Sequence, residues 1–260
     1  MSHRRGSLFL VPNTLDFHVA TVGSLPDLQE VLPLGVIRIA SRLTHWVAEN
    51  ARTTRAFLKR VDAVLPLAQP LQSIQISELP RVQKSAKAGP ADRASGVEAL
   101  LSPLLQGHDT GLISEAGLPA VADPGAALVR AAHAQGLVVC ALPGPSSLLL
   151  ALAASGLNGQ SFAFVGYLPV ESGARTTRIR ELEALSRRQH QTQLMIETPY
   201  RNQALQAALV AALDEATSLS ISCALTLQGG WSRTDTVAAW KARPVQLSNE
   251  LPAVFAFLGH

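Results

Sequence analysis

Between Asp109 and Leu142 the chain runs through DTGLIS, a loop EAGLPAVADPG, a helix-length AALVRAAHAQG and then LVVCAL. Two strand-length apolar runs separated by a helix-length one do not form a hairpin. The helix has to cross over the sheet, which makes the strands parallel. Parallel strands are covered on both faces, so this stretch points to an α/β fold.

The alternation restarts further on. SFAFVGYLP, QTQLMIETP, SLSISCAL and AVFAFLG read as strands, while ARTTRIRELEALSRR, YRNQALQAALVAAL and the short DTVAAWKAR read as helices. A chain of 260 residues has room for two domains of ordinary size. Pro143-Gly144-Pro145 breaks every regular element, so the expected division is residues 1–143 and 144–260, each an α/β domain.

In the first half, SLFLVP (7–12) reads as a strand and GVIRIAS (35–41) as a second one by its β-branched content. THWVAENARTTRAFLKRV has helical spacing, with Thr44 as its N-cap. The basic, apolar-poor stretch from Glu78 to Arg93 reads as an exposed loop before a helix ending near Gly107.

Gly136 to Val170 contains no Asp, Glu, Lys or Arg, which in isolation resembles a membrane span. Pro143, Gly144, Pro145 and GLNG at 156–159 cut it into strand and helix lengths, so it reads as buried protein interior. The basic opening MSHRR is followed by too short an apolar run for a signal peptide, and a cytoplasmic location is expected. Cys140 and Cys223 lie far apart in apolar runs with no C-x-x-C, so neither a zinc site nor a disulfide framework is indicated. The net charge of +3 permits a polyanionic partner without requiring one.

No G-x-G-x-x-G follows a strand and no G-x-x-x-x-G-K-[ST] occurs, which removes the usual dinucleotide and P-loop solutions. The Gly- and Pro-rich loop from Gly111 to Gly125 nevertheless sits where open α/β sheets bind ligands, after the carboxyl end of a strand. Asp123-Pro124 reads as N-cap and N1 proline of the next helix. Glu115 reads equally as a solvated loop carboxylate or a ligand partner. Of Ser146 and Ser147, before the apolar helix SLLLALAASG, capping accounts for one.

GLISEAGLPAVADPG, LPGPSSLLLALAASGL leading into FAFVGYLP, and IETPYRN together resemble class III methyltransferases that use S-adenosylmethionine, the tetrapyrrole-methylase-like enzymes. Among these the sequence is most similar to the branch that 2′-O-methylates a cytidine of small-subunit ribosomal RNA, whose loops read roughly SDAGTPLISDPG, PGPSA and ESPHR. The resemblance implies a homodimer of two-domain α/β subunits with S-adenosylmethionine in the cleft between the domains. It assigns Pro12, Ser114, Glu115, Ala116 and Pro119 to the cofactor from the first domain, and Ser146, Ser147, Glu197 and Leu227 from the linker and second domain.

The departures fall in the first half. A loop resembling PIGNLGD is here PNTLDFH, a helix motif resembling EDTR is here ENART, and a segment resembling SYHEHNE is here SELPRVQKSAK. Because the resemblance turns these segments toward the acceptor, the acceptor is open: ribosomal RNA, a tetrapyrrole or another small nucleophile, with a non-catalytic cofactor-binding module as the rival of a different class. In-line methyl transfer rests on alignment and needs no metal, while a hydroxyl acceptor also needs a proton acceptor. Glu49 is the candidate base, with Glu197 and His18 behind it, and an ion pair of Glu49 with Arg52 or Arg55 is the structural alternative. Arg52, Arg55, Arg81, Lys84 and Lys87 form a candidate basic rim for RNA phosphates, or a solvated surface.

Overall fold

The computed structural model describes residues 4–16, 27–80 and 96–260. His18, Arg81, Lys84, Lys87 and most of the stretch from Glu78 to Arg93 lie outside these residues. The described residues up to Pro145 gather into one compact unit and those from Ser146 onward into a second.

The first unit runs β1 (Ser7–Leu10), α1 (Leu28–Val31), α2 (Leu34–Arg42), β2 (His45–Ala48), α3 (Ala51–Val64), β3 (Gln75–Glu78), α4 (Ser102–Leu105), β4 (Thr110–Ile113), α5 (Ala126–Ala134) and β5 (Val138–Ala141). Its sheet has the order β3-β2-β4-β1-β5 and every neighbouring pair is parallel. The carboxyl ends of β1, β2 and β4 therefore share one edge, with Leu10 level with Leu112 and Ala48 level with Ile113.

Three local expectations are overturned here. GVIRIAS is helical: Val36, Ile37, Ala40 and Ser41 are buried together, and a period of 3.6 collects them on one face. As a strand, the same residues would have put Arg38 on the face of Val36 and Ala40. THWVA opens as strand β2 rather than helix, because Trp46, Val47 and Ala48 are buried between β3 and β4. Helix α3 begins only after Asn50, whose side chain accepts from Arg52 N–H at 2.9 Å. Finally, Asp123 does not cap α5: the N-cap is Gly125, at φ 124°, with no side-chain cap.

The second unit runs α6 (Ser147–Ser155), β6 (Phe162–Phe164), α7 (Ser172–Gln189), β7 (Thr192–Ile196), α8 (Asn202–Ala212), β8 (Ser218–Cys223), β9 (Trp231–Thr236), α9 (Val237–Ala242) and β10 (Ala253–Leu258). The order is β6-β7-β10-β8-β9; β6 and β7 are parallel, and β10 is antiparallel to both β7 and β8. Alternation along β10 splits its side chains between two cores. Phe255 and Phe257 join Met195, Ile221 and Trp240 on one face, while Val254 and Ala256 meet Ala151 and Leu152 of α6 on the other. Burying each phenylalanine contributes roughly 2 kcal/mol.

Candidate functional site

At the carboxyl edge of the first sheet, the chain leaving β1 and the loop leaving β4 are sewn together by Asn13. Its amide donates to the carbonyls of Ser114 at 3.1 Å and Glu115 at 3.0 Å. Its backbone N–H donates to Gly117 O at 2.9 Å, and Gly117 N–H returns a bond to Asn13 O at 3.2 Å. Pro12, Ala116 and Pro119 are buried around this seam. Gly144 passes so close to Pro12 that a Cβ there would stand 2.3 Å from the proline ring. Gly117 needs its left-handed φ of 65°, and Ala120 and Ala122 adopt φ of 66° and 62° despite their Cβ atoms.

Three carboxylates meet at this edge. Glu49, in the turn between β2 and α3, accepts from the Glu115 N–H at 3.1 Å. Glu115 accepts from Thr53 Oγ1, on the first turn of α3, at 2.7 Å. Asp123 lies in the field of both: burial first, then the charges of Glu49 and Glu115, push its pKa to about 7. Burial likewise raises the pKa of Glu49, with Glu115's charge adding to the effect against the opposing backbone hydrogen bond. Among the described residues no cation pairs with any of the three. Arg52 and Arg55 are exposed, and the ion pair considered for Glu49 does not form.

Ser114 is only 3% exposed, and its hydroxyl has no hydrogen-bond partner. It lies near enough to Asp123 to favour that carboxylate's charged form, yet the contact falls short of a formed hydrogen bond. A buried hydroxyl left open is uncommon.

In the second unit, the sheet again defines an edge. Because β10 is antiparallel to β7 and β8, these two strands run the same way and end together, at Ile196 and Cys223. Glu197 follows β7, accepts from Thr198 N–H at 2.8 Å and pairs with Arg201 at 2.9 Å. Beyond β8, Ala224 and Thr226 take left-handed φ of 52° and 68°, and Leu227 packs partly buried against the core. Leu148 of α6 joins Ile196 and Leu225 in one cluster, which brings Ser146 and Ser147 to the same edge. Ser146 stands at the N-cap position without a side-chain cap bond. Glu49, Pro12, Ser114, Glu115, Ala116 and Pro119 are thus gathered on the first unit, and Ser146, Ser147, Glu197 and Leu227 on the second.

Sequence reasoning missed Asn13, Thr53 and Asp123 as site residues. Asn13 was visible only as part of a departing motif, and Asp123 had a sufficient explanation as a cap. A cavity of about 350 Å³ opens elsewhere on the first unit, lined by His45, Gln75, Gln106, His108 and Thr110. It lies toward the strands' amino ends, away from the edge where parallel sheets bind ligands. Among the described residues no group of His, Cys, Asp or Glu is arranged to hold a metal ion, and no helix is long and apolar enough to cross a membrane.

The chain is 40% identical to the ribosomal RNA small subunit methyltransferase I of Mesorhizobium japonicum over 140 residues, 54% of this chain and 46% of that protein. With the protein of the same name from Xylella fastidiosa it shares 33% over 171 residues, 66% of this chain and 55% of that one. The matches span about half the length of these curated relatives. Among solved structures it resembles the methyltransferase CobJ, with a TM-score of 0.55, 15% identity and 98% and 94% of the two chains covered. It also resembles the uroporphyrin III C-methyl transferase of Thermus thermophilus, at TM-score 0.52 and 16% identity over 97% of each chain. These two likenesses speak for the fold. The family model described as Tetrapyrrole (Corrin/Porphyrin) Methylases matches residues 18–241, and the chain belongs to that family.

Proposed function

We propose that this protein is an S-adenosylmethionine-dependent methyltransferase that methylates a ribose 2′-hydroxyl of small-subunit ribosomal RNA, in the cytoplasm and as a homodimer. The observation that carries the reading is the loop from Ser114 to Gly125. It is a strand-end loop locked by Asn13, lined by three uncompensated carboxylates and one open buried hydroxyl. The names of the curated relatives support the choice of acceptor.

When bound, S-adenosylmethionine supplies a methyl group carried on a cationic sulfonium. The residues present suit such a group. Glu49, Glu115 and Asp123 favour a positive charge in their half-buried surroundings, and Ser114 Oγ offers a donor and acceptor not used by the protein. Pro12, Ala116 and Pro119 provide an apolar wall. On this reading residues 1–143 and 144–260 act as two domains, and Ser146, Ser147, Glu197 and Leu227 hold the cofactor from the second. Glu197 already engages Thr198 and Arg201, so its part is to fix the Thr198 turn rather than to offer a free carboxylate. An acceptor hydroxyl must lose its proton, and the carboxylates at the first edge are the groups at hand, Glu49 being the candidate read from the sequence.

The test is titration calorimetry with S-adenosylmethionine and S-adenosylhomocysteine, followed by labelled methyl transfer to small ribosomal subunits and to a tetrapyrrole fraction. Binding with label in ribosomal RNA is the expected result. Label in the tetrapyrrole fraction would redirect the acceptor, and absence of cofactor binding would overturn the enzyme.

A further inference from the structure

We infer that Asp123, rather than Glu49, takes the proton from the acceptor hydroxyl, with Glu49 and Glu115 as fixed negative neighbours and Ser114 beside it. The inference rests on the methyltransferase reading. It starts from a structural explanation that fails: the sequence pattern Asp123-Pro124 suggests an N-cap, yet α5 is capped two residues later, at Gly125, without a side chain. Asp123 therefore has no capping duty.

The other two carboxylates are each engaged. Glu49 holds the Glu115 amide, and Glu115 holds the Thr53 hydroxyl. Both contacts tie the accepting carboxylate to the protein. Among the described residues Asp123 has no ion pair and no hydrogen bond within normal geometry; the hydroxyl beside it, Ser114 Oγ, favours its charged form and is buried without another partner. The charged groups facing Asp123 are Glu49 from the β2–α3 turn and Glu115 from its own loop, both negative, with no cation among the described residues. Two like charges beside a half-buried carboxyl make proton uptake favourable, and the pKa near 7 sits where a general base works best.

The step balances without a further reagent. As the acceptor oxygen bonds to the methyl carbon, the carbon–sulfur pair stays on sulfur, and the hydroxyl proton passes to an Asp123 oxygen. A methyl ether, a neutral thioether and a neutral carboxylic acid remain. Solvent then takes the proton from Asp123, which is partly exposed.

The experiment compares wild type, Asp123→Asn and Glu49→Gln in single-turnover methyl transfer across pH, with cofactor affinity and the carboxyl carbon resonances of isotope-labelled aspartate measured in parallel. Asp123→Asn should slow transfer by about 100-fold or more, keep cofactor affinity within about tenfold, and lose the aspartate resonance that titrates near neutrality. Glu49→Gln should move the midpoint of the pH–rate profile downward, because one neighbouring negative charge is gone. An Asp123→Asn protein with the wild-type rate and pH profile, or with the near-neutral titration intact, would overturn the inference alone. A wild type that binds the cofactor but labels no acceptor would instead bring down the methyltransferase reading, and the inference with it.

Discussion

Ser114 and Asp123 show how little at this site is arranged for stability. A buried hydroxyl without a partner costs about 1 kcal/mol or more, so Ser114→Ala should leave the denaturation midpoint unchanged or raise it. The same change should weaken cofactor binding about fivefold or more, as loss of one hydrogen bond does, and urea titration beside calorimetry separates the two effects. Asp123 adds a pH dependence whose sign follows from its pKa of about 7 in the fold against an ordinary value of 3.8. Between those values the folded protein holds a proton that the unfolded chain has released, so stability falls as pH rises toward 7. The thermal midpoint of wild type should thus drop from pH 5 to about pH 8 relative to Asp123→Asn, which lacks the titrating group. Equal slopes for the two proteins would contradict the burial that raises this pKa.

At the scale of elements, local preference yielded wherever burial demanded another period. Helix α2 carries Val36, Ile37 and Ile39 against their β propensity, because its buried residues follow the helical repeat. Strands β3 and β9 escaped notice for a related reason. QISE and WSRTDT are polar edge strands, and neither has a fully buried side chain. The departure ENART is milder than its letters suggest, since Asn50 caps α3 as an Asp would. Asn50→Ala should cost about 1 kcal/mol, whereas Asn50→Asp should stay within a few tenths; chemical denaturation distinguishes them. A large loss for Asn50→Asp would mean that the position does more than cap.

For the whole molecule, the proposed homodimer predicts where apolar surface is left uncovered. Phe162 and Phe164 of edge strand β6 are exposed, as are Leu149 of α6, Tyr167 and Val170 in the same unit. The double substitution Phe162→Glu, Phe164→Glu should weaken self-association at least about tenfold in sedimentation equilibrium without unfolding the chain, because charges resist burial at an interface. A wild type that sediments as a monomer would remove the dimer. The α/β class, most of the helices and strands, and the strand-end loop at Ser114 to Gly125 were legible in the sequence alone, because periodicity and Gly/Pro punctuation are local and each run carries its own signal. The partners across that loop were not. Asn13 reaches Ser114 and Glu115 across about a hundred residues of chain, and the three carboxylates at positions 49, 115 and 123 become neighbours only when β2 and β4 pair in register. The tertiary structure alone decided which acidic side chain has no structural duty, because capping, desolvation and like-charge repulsion depend on where chain segments distant in sequence come to lie.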